Sequence, residues 1–230
     1  MRIACEDITF QYPGATHPTF NRLSFHIREP GFNALFGPSG VGKTSLARIM
    51  AGELKGYAGR VVTEGVRTCL YTYNTERLPG WSSIGRHLNR VTSQSGERKK
   101  DTLAHVFGMT PLLTTTFSKL SLGQKNRINL IRYLLQDFQL LIMDESLANV
   151  DEATRETIIL EIKDIFPKAC FLYISHNIVE VSKFCRDIIV FRNPQKSPQT
   201  VSVRGLDLKK KETFSRTALD RIMLEIMNAA

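Results

Sequence analysis

One stretch of nine residues constrains this chain more than any other: Gly37-Pro-Ser-Gly-Val-Gly-Lys-Thr-Ser45. Gly37, Gly42, Lys43 and Thr44 stand in the fixed places of the pattern G-x-x-x-x-G-K-[ST]. The apolar run Phe32 to Phe36 reads as a strand leading into it. Ser45 to Ala51 reads as a helix leading out, stopped by Gly52. Glycines let backbone N–H groups turn inward around a phosphate chain, and the new helix points its positive end at the same anion. Lys43 is placed to reach β- and γ-phosphates, and the Thr44 hydroxyl to ligate Mg²⁺. The candidate nucleotide-binding set is therefore Gly37, Pro38, Ser39, Gly40, Val41, Gly42, Lys43, Thr44 and Ser45. A glycine-rich turn that matches by chance is the bland alternative, and the flanking strand and helix argue against it.

Leu140-Leu-Ile-Met-Asp-Glu145 is an uninterrupted apolar run ending in two acids, the pattern of a buried parallel strand. Open α/β sheets place their ligands at the carboxyl ends of such strands. Asp144 is then the candidate Mg²⁺ ligand, and Glu145 the group to orient or deprotonate an attacking water. Cys170-Phe-Leu-Tyr-Ile-Ser175 is a second apolar strand, and His176 at its end faces the same phosphates.

The remaining segments are read around these two strands. Residues 2 to 30 alternate as short strands about the turn-rich segment Pro13 to Pro18. Tyr12 ends the first of them, where a ring can stand outside the core; an ordinary edge-strand tyrosine is the equal alternative. Tyr57 to Arg67 reads as a polar hairpin or loop, and Thr68 to Tyr73 as a strand. From 82 to 136 the pattern turns helical at Ile84, His87, Leu88 and Val91 and at Leu103, Val106 and Phe107, with Thr92 to Lys100 as a polar, flexible link. Ser121 caps a helix running to Leu135, with Gln124 three residues on as in a capping box. An exposed cap with Gly123 nearby is also an anion site. Further helices are expected from Asp151 to Phe166 and from Ile178 to Phe184. Asp187 to Phe191 should complete the sheet, and Thr200 to Val203 forms one short strand. Thr213 to Met227 is an amphipathic helix for packing or partner contact.

Composition limits the function classes. At 42% hydrophobic and 23% charged, the chain suits a globular protein, and no apolar run approaches a membrane span. The first residues lack a signal-peptide core. A membrane role would need other chains to cross. The net charge of +9 is partly local, in Arg98-Lys-Lys100 and Lys209-Lys-Lys211, and such short runs read as solvated faces, not as a nucleic-acid site. Cys5, Cys69, Cys170 and Cys185 are scattered, which suits reduced thiols.

Taken in order, these motifs resemble the ATP-binding-cassette (ABC) ATPase domain from about residue 2 to 191. The phosphate loop is 37–44, and the signature motif L-S-G-G-Q stands here as Leu120-Ser-Leu-Gly-Gln124. The aspartate–glutamate strand is 140–145, the dimer-contact loop Leu147 to Asp151, the switch histidine His176 and the adenine-stacking aromatic Tyr12. The resemblance implies an α/β P-loop NTPase (RecA-like) core with an N-terminal antiparallel β subdomain, an α-helical subdomain inserted at about 75–136, and a C-terminal extension over 192–230. It implies ATP and Mg²⁺ as cofactors, with Lys43, Glu145 and His176 catalytic and Thr44, Asp144 and Asn74 around the metal. Ser121, Gly123, Gln124 and Asp151 would meet the nucleotide of a second, facing ABC subunit, the same chain or another.

The expected function is an ATP-hydrolysing subunit at the cytoplasmic face of a membrane. It would drive an importer through separate permease subunits, with or without a substrate-binding protein. The segment Glu76-Arg-Leu-Pro-Gly-Trp81 resembles the E-D-R-L-L-P-W loop of nitrate, sulfonate and taurine importers. Two positions depart from the family: Asn74 stands for the usual glutamine, and Leu122 for the first signature glycine. They motivate a second reading, a regulatory subunit that hydrolyses poorly. A third, a soluble ABC-type ATPase acting on protein or nucleic acid, has only the +9 charge behind it.

Overall fold

The computed structural model describes residues 1–74, 76, 80–193 and 196–230. Its centre is a mostly parallel sheet whose strands are apolar on both sides. β1 (Arg2–Phe10) and β2 (Phe20–Ile27) pair antiparallel, and β3 (Gly31–Phe36) then runs into the glycine loop and α1 (Lys43–Met50). β4 (Ala58–Glu64) returns to pair with β1. Next come β5 (Cys69–Tyr73), α2 (Ile84–Val91), α3 (Glu97–Val106) and α4 (Leu122–Leu134), followed by β6 (Leu140–Asp144). The chain continues through α5 (Glu152–Ile165), β7 (Cys170–Ile174), α6 (Ile178–Phe184), β8 (Asp187–Phe191), β9 (Thr200–Arg204) and α7 (Arg216–Ala229). The small sheet has the order β2-β1-β4 and the large one β5-β6-β7-β3-β8-β9.

Side-chain alternation along the central strands divides the core in two. Leu140, Ile142, Leu172, Ile174 and Leu35 pack with the N-terminal sheet and α1. Leu141, Met143, Phe171, Tyr173 and Ala34 pack against the helices on the opposite face. This explains the unbroken apolar runs at 140–143 and 170–174, because a strand covered on both faces needs no polar side.

Four expectations are corrected. Of the polar hairpin or loop expected at 57–67, residues 58–64 form a single strand, β4, paired with β1. An edge strand with one open face carries polar side chains, which hid it behind its glycines. The large sheet does not end at β8, because β9 adds an antiparallel edge strand and α7 packs on α6 and β9. The last helix starts at Arg216, so Phe214 lies before it, half exposed, with the Lys183 ammonium 5.6 Å from its ring centroid. The flexible link at 92–100 is also shorter than expected, since Arg98-Lys-Lys100 already lies in α3.

Candidate functional site

Strand register builds the site. Leu35 lies opposite Ile174, Ile174 opposite Asp144, and Asp144 opposite Tyr73. The residues that follow these strand ends, Gly37, His176, Glu145 and Asn74, therefore emerge along one edge of the sheet. Asn74 is tied there by its N–H, which donates to the Asp144 carbonyl at 3.2 Å.

The glycine loop needs its glycines for space as well as for backbone angle. Gly42 has φ 101°, and a Cβ there would lie 2.6 Å from the Phe20 ring. A cavity of about 220 Å³ opens over the loop, lined by Ser39, Gly40, Lys43, Thr44, Glu145 and His176 among others. Lys43 is only 5% exposed, and its ammonium donates to the carbonyls of Gly37 at 2.8 Å and Pro38 at 2.7 Å. Burial lowers its pKa, and the charges of Glu145 and Asp144 oppose that shift. Tyr12 is partly exposed; its hydroxyl lies 2.9 Å from Ser45 Oγ and its ring stands edge-on to Phe10.

Asp144 is buried, which pushes its pKa up against the opposing hydrogen bonds from the Thr44 and Tyr71 hydroxyls. The Tyr71 hydroxyl donates to Asp144 Oδ2 at 3.0 Å. A buried carboxylate beside a hydroxyl is a hard-oxygen donor pair of the kind Mg²⁺ takes alongside water and phosphate. Asn74 Oδ1 is buried and has no hydrogen-bond partner among the described residues, so it is a spare acceptor on the same edge. These residues fit such a cation. Among the described residues there is no cluster of three His, Cys, Asp or Glu that could hold a metal by itself.

Glu145 adopts φ 51°, a left-handed conformation uncommon outside glycine and one that accumulates at functional sites. Its carboxylate contacts His176 Nε2, and both side chains are partly exposed. The turn that carries His176 is tied on both sides: Ser175 Oγ donates to Glu180 Oε1 at 2.9 Å, the Asn177 N–H donates to Ser175 Oγ at 3.2 Å, and the buried Glu180 pairs with Arg155 at 2.9 Å.

The second group of candidates lies at the start of α4. Ser121 Oγ accepts from the Gln124 N–H at 3.3 Å, and Gln124 Oε1 accepts from the Ser121 N–H at 2.9 Å, forming the expected capping box. A Cβ on Gly123 would lie 2.4 Å from the Asn149 carbonyl oxygen, so α4 and the 146–150 loop approach as closely as backbones allow. Asn126 Nδ2 adds a hydrogen bond to the Ala148 carbonyl at 2.9 Å. Leu122 is 47% exposed beside Ser121. Asp151 caps α5 by accepting from the Thr154 N–H at 2.9 Å, and that bond lowers its pKa.

Sequence reasoning missed three residues. Tyr71 looked like any strand residue, and Glu180 lay within a short helix. Glu76 stood in a loop, yet its carboxylate accepts from Asn129 Nδ2 at 3.0 Å and the Tyr133 hydroxyl at 2.9 Å, and it pairs with Arg132. It thus ties the loop after β5 to α4. Of the segment 76–81, residues 77–79 lie outside the described residues.

A cavity of about 240 Å³ opens at the other end of the sheet, near Phe32 and Phe171. Several of its charges are paired, Lys163 with Asp207 at 2.8 Å and Lys210 with Asp164 at 3.3 Å.

Comparison with known proteins agrees with this geometry. A family model described as ABC transporter matches residues 20–148. A molybdenum import ATP-binding protein ModC of Rhizobium johnstonii is 33% identical over 187 residues, 72% of this chain and 52% of that protein. One from Saccharophagus degradans is 28% identical over 88% of this chain and 60% of its own length. The chain thus spans about half the length of the curated relatives it matches. Among solved structures, an ATP-binding subunit of an ABC transporter superposes with TM-score 0.79 at 18% identity, covering 99% of this chain and all of that one. An Atm1-family ABC exporter with ATP bound superposes with TM-score 0.78 at 18% identity, over 99% of this chain and 41% of the exporter. At these identities the superpositions speak for the fold.

Proposed function

The chain belongs to the ABC transporter family, and on that premise we propose that it binds and hydrolyses ATP to drive a membrane importer through separate permease subunits. The observation that supports this most is the row of strand ends placing the glycine loop, Asn74, Asp144, Glu145 and His176 along one edge. Import is the direction in the names of its relatives. Among the described residues there is no helix long and apolar enough to cross a membrane, so the spanning segments belong to partner chains in this reading. We place the chain peripherally, on the cytoplasmic side. The ATPase unit comprises residues 1–191, with a helical subdomain at about 75–136, and residues 192–230 extend it.

The loop N–H groups and Lys43 take the phosphates, whose negative charge offsets the burial of the ammonium. Tyr12 is available to stack on the base. Thr44, Asp144 and Asn74 would hold Mg²⁺, which when bound neutralises charge on the β- and γ-phosphates. Glu145 accepts the proton of the attacking water or orients it, and His176 steadies its carboxylate. Ser121, Gly123, Gln124 and Asp151 face the nucleotide of a second ABC subunit. Triphosphate then joins the two subunits, and its cleavage releases them.

The test is ATP turnover by the membrane-extracted complex. Glu145→Gln should lower turnover by about 10²–10⁴-fold while ATP binding persists. Equal rates for variant and wild type would remove hydrolysis from the reading, and a chain found with no membrane partner would remove transport.

A further inference from the structure

Asp144 is the carboxylate assigned to Mg²⁺ above, and a side chain from outside the sequence motifs reaches it. β5 and β6 run parallel, with Tyr71 opposite Ile142 and Tyr73 opposite Asp144. Alternation puts Tyr71 and Tyr73 on one face of β5, and Ile142 and Asp144 on the matching face of β6. Tyr71 is therefore a diagonal neighbour of Asp144, within reach of a long side chain. Its hydroxyl makes that contact, donating to Asp144 Oδ2 at 3.0 Å. Among the described residues this is the only hydrogen bond of the hydroxyl. The ring that carries it is 8% exposed and packs in the core cluster that holds Ile142, Ile49 and Met50. The Tyr73 ring lies beside it at 5.6 Å, tilted by 30°. Asn74, which follows β5, meets the same aspartate from the main chain, its N–H donating to the Asp144 carbonyl at 3.2 Å.

The bland alternative is a hydroxyl that only satisfies a buried acid. Its placement favours more. The last torsion of an aspartate side chain is soft, so a carboxylate with no fixed neighbour turns easily. A phenol is a donor at neutral pH, and on a packed ring it holds one of the two oxygens in place. Carboxylates that bind metals are oriented by such partners, and losing one costs about 10–100-fold in metal affinity. Mg²⁺ demands near-ideal octahedral geometry, whereas Ca²⁺ accepts longer, irregular and bidentate carboxylates. A carboxylate pinned at one oxygen cannot turn freely to offer both, which suits the smaller ion. We propose that Tyr71 is a positioning residue: it fixes the Asp144 carboxylate and makes the nucleotide site selective for Mg²⁺ over Ca²⁺. The proposal rests on the ATP and Mg²⁺ reading above and deepens it.

The full chain, with a non-hydrolysable ATP analogue, is titrated with Mn²⁺ while free Mn²⁺ is read by electron paramagnetic resonance. Mg²⁺ and Ca²⁺ are then added as competitors. Tyr71→Phe keeps the ring and removes the hydroxyl. It should weaken Mg²⁺ by about 10–100-fold and Ca²⁺ by clearly less, so the preference for Mg²⁺ narrows. Binding of a fluorescent ATP analogue in EDTA should not change. Tyr73→Phe removes a hydroxyl with no hydrogen-bond partner among the described residues, and it should alter neither ion. Thermal melts in EDTA confirm that both variants are folded at the assay temperature. The proposal is overturned if Tyr71→Phe holds Mg²⁺ within about threefold of wild type, or if it weakens Mg²⁺ and Ca²⁺ alike, as general loosening of the fold would. A wild-type chain that binds neither nucleotide nor Mn²⁺ sinks the ATP reading and this proposal with it. A wild-type chain that hydrolyses Mg²⁺–ATP, beside a Tyr71→Phe variant with no change in metal affinity, keeps the ATPase and loses the role given to Tyr71.

Discussion

Glu76→Ala is the most informative single change. The Glu76 carboxylate lies between α4 and the loop after β5, with its side chain 16% exposed and that of Arg132 14% exposed. It accepts from Asn129 and from the Tyr133 hydroxyl, whose pKa is pushed up to about 12, by burial first and then by Glu76. Removing the carboxylate leaves Arg132 charged, largely buried and without its anion. Breaking one side of a buried pair costs about 3–5 kcal/mol, and residual exposure trims this to about 2–4 kcal/mol. At about 2–4 °C per kcal/mol for a chain of this size, Tm should fall by about 4–16 °C. Arg132→Met should cost less, because Glu76 keeps Asn129 and Tyr133. Glu76→Ala combined with Arg132→Met, with both charges gone, should cost less than the sum of the two single changes, while the Tyr133 hydroxyl left without its acceptor still costs about 1–3 kcal/mol. Urea and thermal melts followed by circular dichroism would close the double-mutant cycle. If Glu76→Ala left Tm within about 2 °C of wild type, or if the two changes simply added, the cluster would not be the strut described. Because the loop carries Asn74 and α4 carries Ser121, ATP turnover of Glu76→Ala below its melting temperature should also fall.

Gly123→Ala places a methyl 2.4 Å from the Asn149 carbonyl oxygen, and turnover should drop about tenfold or more with a stability loss of about 1–3 kcal/mol, read by ATPase assay and melts. Leu122→Gly removes an exposed side chain from the face proposed to meet a second subunit's nucleotide, and it should raise turnover of the complex; an unchanged or lower rate would count against crowding there. Burial, then the charges of Arg132 and Arg90, hold His87 below its ordinary pKa of 6.5. The unfolded chain therefore takes up a proton first as pH falls, and stability drops below about pH 6.5. His87→Leu should flatten that decline between neutral and mildly acid melts.

Much of the fold was legible because it is written locally. Strands β7 and β8 and helix α6 lie where apolar runs and flanking polar residues put them, since strands buried on both faces need continuous hydrophobes. The Ser121–Gln124 box spans four residues and closes as its spelling implies. β4 was legible only as a hairpin or loop, because an edge strand with one wet face is as polar as a loop and its partner β1 lies far back in the chain. β9 was legible as a short strand at 200–203, but not its place, because five residues of mixed character do not say that they pair with β8.

Sequence by itself determined the chemistry on offer: a glycine loop with its lysine, two acids ending an apolar strand, a histidine ending another. Those are properties of a few consecutive residues. Only the tertiary structure decided which side chains serve them. Tyr71 reaches Asp144 across 73 positions of chain, Glu76 reaches Tyr133 across 57, and Gly123 presses on Asn149. Such contacts exist only once β5, β6, β7 and β3 stand in their order and bring distant charges within a few ångströms, where burial makes each pairing count.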